Sequence, residues 1–332
     1  MPALTTDAVL ALGRNFMESR ILLTGAELDV FTLLAPTPLT AAEVARRLRT
    51  EPRATTILLD ALAAIRLLSK HDGRYHCEPD VAAHLASDAP QSVLPMVLHS
   101  ASLWRRWSEL TGIVRGDAKA VARAHAPRDD TSLVAFIGAM QVVAGPRAAA
   151  IVAAIDPGSA RNLLDIGGAS GTYTIEFLKA APQMRATLFD RAAVIEMARA
   201  RLGAANLLGR VTLAAGDFDH DELPPHHDLA LLSAIINQNS PAENEALYRK
   251  VWRALDPGGR IVIRDHVMSP DRLQPREGAV FAVNMLAGTT GGNVYTFEEM
   301  QPGLTAAGFT RVRLIQRAGG MADLVEAFKP AA

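Results

Sequence analysis

The chain has 332 residues, with 34 Lys plus Arg against 35 Asp plus Glu and a formal net charge of −1. Such a length allows two domains and a sizeable core, and a charge near zero supplies no bulk field toward nucleic acid or an anionic membrane. The single cysteine, Cys77, excludes an intrachain disulfide and fits a reducing compartment. No apolar run of membrane-spanning length is expected, nor a basic-then-apolar leader, so the expectation is a cytoplasmic enzyme.

Residues 1–100 read as a mainly helical domain. Thr40 and Glu43 make a capping box that opens the helix AAEVARRLR. A second helix, ATTILLDALAAIRLL, carries Ile57, Leu58, Ala61, Leu62, Ile65 and Leu68 at helical spacing. SKHDGRYHCEP then predicts a hairpin with Asp72-Gly73 at its turn. Helix, helix and hairpin make a winged helix. Arg46, Arg47, Arg49 and Arg53 would serve DNA binding, but a charged solvated helix face explains them as well. The apolar run GAELDVFTLLA favours a subunit interface.

Residues 101–155 read as a helical connector. Leu103, Trp104 and Trp107 pack or line a pocket, PRDD at 127–130 reads as a loop, and SLVAFIGAMQVVAGPRAAAIVAAI predicts a buried helix. Met140 and Gln141 lie where such a helix would touch a substrate.

From Asp156 to the end at 332, strands and helices alternate. Strands are predicted over 162–166, 186–189, 211–214, 229–235 and 260–264, with two more near 311–316 and 324–328. This gives an α/β fold with a doubly wound, mostly parallel sheet. Ligands of such sheets bind at the carboxyl ends of the strands. The first strand ends in LLDIGGASGTY, where Gly167, Gly168 and Gly171 let backbone approach a ligand. Asp190 closes the second strand, placed to accept from both hydroxyls of a ribose. Past the third strand comes GDF. There Asp217 would accept from an adenine amino group, and Phe218 would cover a ring face.

The glycine spacing is D-x-G-G-x-x-G, not the dinucleotide G-x-G-x-x-G, and no phosphate-binding GK[ST] follows. Asp165 would repel a pyrophosphate and suit a cofactor bearing an ammonium and a sulfonium. LDIGGASGTY, LFD, GDF, DPGGRIVIRDHVM and GGNVYTFEE together resemble the bacterial and plant small-molecule O-methyltransferases, a class I family that uses S-adenosylmethionine (SAM). The resemblance covers nearly the whole chain. It implies a Rossmann-like catalytic domain, SAM as donor with S-adenosylhomocysteine (SAH) as product, no metal, and a homodimer formed through the winged-helix domain. The acceptor would be a small aromatic or polyketide-like molecule of secondary metabolism. Cofactor roles carry over to Asp165, Gly167, Gly168, Gly171, Asp190, Asp217, Phe218 and Ser233. Asn237, Met140, Trp104 and Asn284 are expected to contact the substrate.

The family's catalytic histidine, just after the fourth strand, is replaced by Asn237, which cannot take a proton from a phenol. The glutamate that would orient that histidine is replaced by Val294, while Asp265 matches the other supporting acid. Ser240, Pro241 and Glu243 form a helix start directly after Asn237. His266 is then the nearest candidate base, so the catalytic candidates are His266, Asp265 and Asn237. His220, His226 and His227 lack metal-ligand spacing and read as a solvated loop. The expected reaction is methyl transfer to a hydroxyl oxygen, with carbon or nitrogen as alternative nucleophiles. A SAM-sensing winged-helix regulator without turnover is the rival from another class.

Overall fold

The computed structural model describes residues 4–126 and 130–331. These fall into two compact units, one of residues up to 105 with 130–142, the other of 106–126 with 143–331. The stretch 101–155, expected as a connector, is shared between them. The predicted loop at 127–129 lies outside the described residues, and a helix begins at Asp130.

In the first unit, strands β1 (Leu39–Thr40), β2 (Ser69–His71) and β3 (Arg74–His76) form an antiparallel sheet in the order β1-β3-β2. Asp72 and Gly73 both take positive φ at the hairpin turn. The capping box opens the helix Ala41–Leu48, and Pro52 starts the helix Pro52–Ala64. Phe31, Leu34, Leu59, Leu62 and Tyr75 lie in the core. The expected apolar phase of the second helix is corrected here: Thr55, Leu59 and Leu62 are buried, whereas Ile57 is 54% exposed. With leucines at 58 and 59, two apolar stripes fit the sequence, and packing selects the one that includes Leu59.

The helix Asp130–Ile155 departs from expectation twice. It is not buried throughout, since Val134 and Val143 are exposed. Its Thr131–Ile155 stretch is also long and apolar enough to cross a membrane by length and composition, with only 22% of the apolar window buried. Alanines and valines on every face raise its hydropathy without defining a core-facing stripe.

The second unit is built on a seven-stranded sheet. Its strands are β4 (Asn162–Ile166), β5 (Arg185–Asp190), β6 (Val211–Ala215), β7 (His227–Ser233), β8 (Leu255–Asp265), β11 (Thr310–Gln316) and β12 (Asp323–Phe328). A separate short pair, β9 (Val267–Met268) and β10 (Tyr295–Thr296), runs parallel. The sheet order is β11-β12-β8-β7-β4-β5-β6; β4 to β8 run parallel, and β12 pairs antiparallel with both of its neighbours, β8 and β11. After β6 the chain crosses back to the other side of β4. The switch point of the sheet therefore lies between β4 and β7, the place where ligands of such sheets bind. β7 ends at Ser233, short of the predicted Ile235, because Ala234 takes a left-handed φ of 57°. His227 is another correction. It is buried, with Nε2 2.9 Å from Thr187 Oγ1, and does not belong to a solvated loop.

Candidate active site

The glycine turn follows β4 directly. Gly167 and Gly171 have φ of 67° and 78°, and a Cβ on Gly167 would fall 2.5 Å from Ile235 Cδ1. A Cβ on Gly168 would fall 2.7 Å from Leu188 Cγ. The positive φ at two of these positions and the close approaches at Gly167 and Gly168 favour glycine, so the turn is a cradle shaped by missing side chains. Arg201 braces it from the helix Ala192–Ala204, its Nη1 donating to the Ser170 carbonyl (3.2 Å), Ser170 Oγ (2.8 Å) and Thr172 Oγ1 (2.9 Å). Sequence reasoning missed Arg201; nothing local marks a residue that acts one crossover away.

Asp190 ends β5 beside the turn. Its Oδ2 accepts from the Ala169 N–H (2.9 Å) and Oδ1 from the Arg191 N–H (2.7 Å). Backbone donors thus fix the carboxylate while leaving each oxygen a lone pair for a ribose hydroxyl. Burial pushes its pKa up. The Phe218 ring comes within 3.8 Å of where a Gly167 Cβ would sit. Asp217 is half-exposed, and its Oδ1 accepts from the Asp219 N–H (3.0 Å). Asp165 lies beneath the turn, fully buried, with Oδ2 accepting from the Thr174 hydroxyl at 2.6 Å; burial raises its pKa to about 6. A cradle without Cβ atoms, a fixed carboxylate on one side and an aromatic ring on the other fit the adenosine and sulfonium parts of SAM.

Across the switch point, Asn237 occupies a short 3-10 turn, Ile236–Gln238, and is 2% exposed. Its Nδ2 donates to both oxygens of Asp265, at 3.0 and 2.8 Å, and the His266 N–H donates to Oδ1 at 2.8 Å. Asp265 is buried, and burial outweighs these bonds to raise its pKa to about 6. The double-glycine segment secures this loop. A Cβ on Gly292 would fall 2.4 Å from the Asn237 carbonyl oxygen, and one on Gly291 would fall 2.8 Å from Ser240 Cβ. Ser240 and Glu243 form the predicted capping box of the helix Pro241–Ala254. Val294 is buried and contributes no polar group to the site.

His266 Nδ1 accepts from the Met321 N–H at 3.1 Å, and burial holds its pKa down. In the neutral ring the proton is then on Nε2, and no basic nitrogen is left to face a substrate. Ser233 Oγ accepts from Arg264 Nη1 at 2.9 Å. Met140 and Trp104 belong to the first unit, where Trp104 stacks obliquely near Phe16 (centroids 6.1 Å). Asn284 belongs to the second, where its Oδ1 accepts from Trp107 Nε1 at 3.0 Å. Among the described residues no group of three or more His, Cys, Asp or Glu is placed to hold a metal ion.

Comparison with known proteins agrees with this geometry. Residues 107–310 match the model of an O-methyltransferase domain, and residues 10–87 match that of an O-methyltransferase dimerisation domain. The tetracenomycin polyketide synthesis 8-O-methyl transferase of Streptomyces glaucescens is 31% identical over 311 residues, 92% of this chain and 91% of that protein. The 3-hydroxy-5-methyl-1-naphthoate 3-O-methyltransferase of Streptomyces sahachiroi is 31% identical over 337 residues, 98% of this chain and 94% of that protein. Among solved structures, PigF with SAH has a TM-score of 0.88 at 26% identity and covers 98% of this chain and 100% of its own. Human N-acetylserotonin methyltransferase in complex with SAM has a TM-score of 0.83 at 24% identity with full coverage of both chains, a likeness of fold. The chain therefore belongs to the O-methyltransferase family of class I, SAM-dependent enzymes.

Proposed function

We propose that this enzyme methylates a hydroxyl of a small aromatic or polyketide-like acceptor without a protein base, and that it acts as a homodimer through its N-terminal unit. The two Streptomyces relatives, named for a polyketide and a naphthoate, support the acceptor class. The dimerisation-domain match supports the assembly.

One observation carries the mechanism: the Asn237 amide spends its N–H groups on both oxygens of Asp265. That fixes the side chain and leaves Oδ1 as the one hydrogen-bonding group it has to offer. An amide oxygen accepts a hydrogen bond but takes no proton at neutral pH. Asn237 would orient the acceptor hydroxyl, and Asp265 would hold Asn237. With the His266 acceptor nitrogen occupied by Met321, the acceptor must arrive ionised or lose its proton to water. When bound, SAM supplies an electrophilic sulfonium methyl. The protein then contributes proximity, orientation and exclusion of water.

A panel of phenols and naphthols of graded acidity, assayed with SAM by mass detection, tests this reading. The pH at which kcat/KM levels off should follow the pKa of each acceptor, and His266→Ala should leave that profile in place. A common inflection for every acceptor, lost in His266→Ala, would restore the histidine as base.

A further inference from the structure

We propose that Arg264, with the hydroxyls of Ser233 and Tyr173, is the seat for the carboxylate at the amino-acid end of SAM. The inference rests on SAM as the donor and is independent of the acceptor. Arg264 is 5% exposed, next to the last residue of β8, and no carboxylate oxygen among the described residues pairs with it. Its chain neighbour Asp265 projects to the opposite face of the strand, as successive strand residues do, and is held there by Asn237. Nη1 donates to the Ser233 hydroxyl at 2.9 Å, while Nε is sealed from solvent with no hydrogen-bond partner among the described residues.

The Tyr173 ring lies under the guanidinium, 5.2 Å from centroid to carbon. Its hydroxyl faces Ser233 without the geometry of a hydrogen bond and is likewise sealed without a partner. Burial pushes the pKa of Arg264 down, and the positive charge of Arg147 pushes the same way; Tyr173 and Asp265 offset this in part. A buried guanidinium without a counter-ion is unfavourable, and idle buried donors mark a place that an anion would fill.

Sheet order says which anion. Asp217 and Phe218 follow β6, Asp190 ends β5 and the glycine turn ends β4, so the groups that would hold adenine, ribose and sulfur succeed one another across adjacent strands. The next strand in that succession is β7. Its Leu232 pairs with Ile166, so Ser233 stands beside Gly167. Two strand spacings separate the ends of β5 and β7, about 10 Å, comparable with the reach of an extended amino-acid arm from its ribose. SAM bears two positive groups and one negative one, and a guanidinium accepts only the latter. A guanidinium fork matches a carboxylate through two parallel N–H donors.

The test is calorimetry on the full chain with two ligands, SAH and its decarboxylated analogue S-adenosyl-3-thiopropylamine. Wild type should prefer SAH, and Arg264→Met should weaken SAH by roughly tenfold to a hundredfold, the usual loss for a charge-assisted bond. Affinity for the analogue should stay close to that of wild type, and Arg264→Lys should recover part of the SAH binding. Tyr173→Phe, which deletes a single oxygen, should weaken SAH alone, and it decides the matter if Arg264→Met fails to fold. An equal loss for both ligands would make the arginine structural and overturn the proposal. Unchanged SAH binding with a raised acceptor KM would overturn it too, by assigning the seat to an acceptor anion. Failure of wild type to bind either ligand would instead overturn the use of SAM itself.

Discussion

Two carboxyl groups show how a single residue sets a property of the whole protein. Asp165 and Asp265 are both buried, and both are raised from 3.8 to about 6. Between those values the native state keeps a proton that the unfolded chain releases. Stability must therefore fall as pH rises from about 4 to about 6, with the full deficit present above 6. A shift of about two units corresponds to at most about 3 kcal/mol per group. Asp165→Asn keeps an oxygen for the Thr174 hydroxyl and removes the charge. The expected outcome without ligand is a melting temperature a few degrees above wild type at pH 7 and equal to it at pH 4, read by circular dichroism. The same gain at both pH values would show that charge at Asp165 is not what destabilises the fold. That Asp165, Asp190 and Asp265 stand at or near strand ends was legible in the sequence. The bonds that Thr174, Ala169 and Asn237 make to them were not, since those partners approach from other elements.

Short elements fix the loop that carries Asn237. Asn237 is placed by the turn Ile236–Gln238, by the capped helix after it, and by Gly291 and Gly292 pressing on it from a segment more than fifty residues away. Gly292→Ala would set a Cβ 2.4 Å from the Asn237 carbonyl oxygen and 2.9 Å from that of Gln238, and backbone cannot yield as a side chain does. The expected effect is a loss of kcat on the order of 10²-fold from a displaced reacting group, with SAH affinity near wild type by calorimetry. A parallel fall in SAH affinity would mean that the loop also holds the cofactor. The pairing of the GG segment with its position in the family's pattern was readable in the sequence; that it touches Asn237 was not. Helix starts were read well because a capping box is local. Strand ends were read less well: Ala234 adopts a left-handed φ that its side chain does not announce.

At the scale of the molecule, the helix Thr6–Arg14 buries none of its residues, and Leu10, Leu12 and Phe16 are 47%, 68% and 49% exposed. Such apolar exposure beside a dimerisation-domain match is the surface on which the proposed homodimer would pair. Light scattering should give twice the chain mass, and Leu12→Glu with Phe16→Glu should shift the protein toward monomer while the far-ultraviolet spectrum stays native. A monomeric wild type would sink the homodimer.

The sequence by itself determined the α/β architecture, the glycine turn and the acid that ends β5. Each is written in contiguous residues whose period or spacing has one physical meaning. Tertiary structure alone decided that Asn237 is locked onto Asp265, that the acceptor nitrogen of His266 is occupied by Met321, that Leu59 and not Ile57 faces the core, and that Arg264 is buried with no carboxylate paired to it among the described residues. These are matters of which distant groups meet in low dielectric. A hydrogen bond or an unpaired charge exists only once the sheet order has brought its strands side by side.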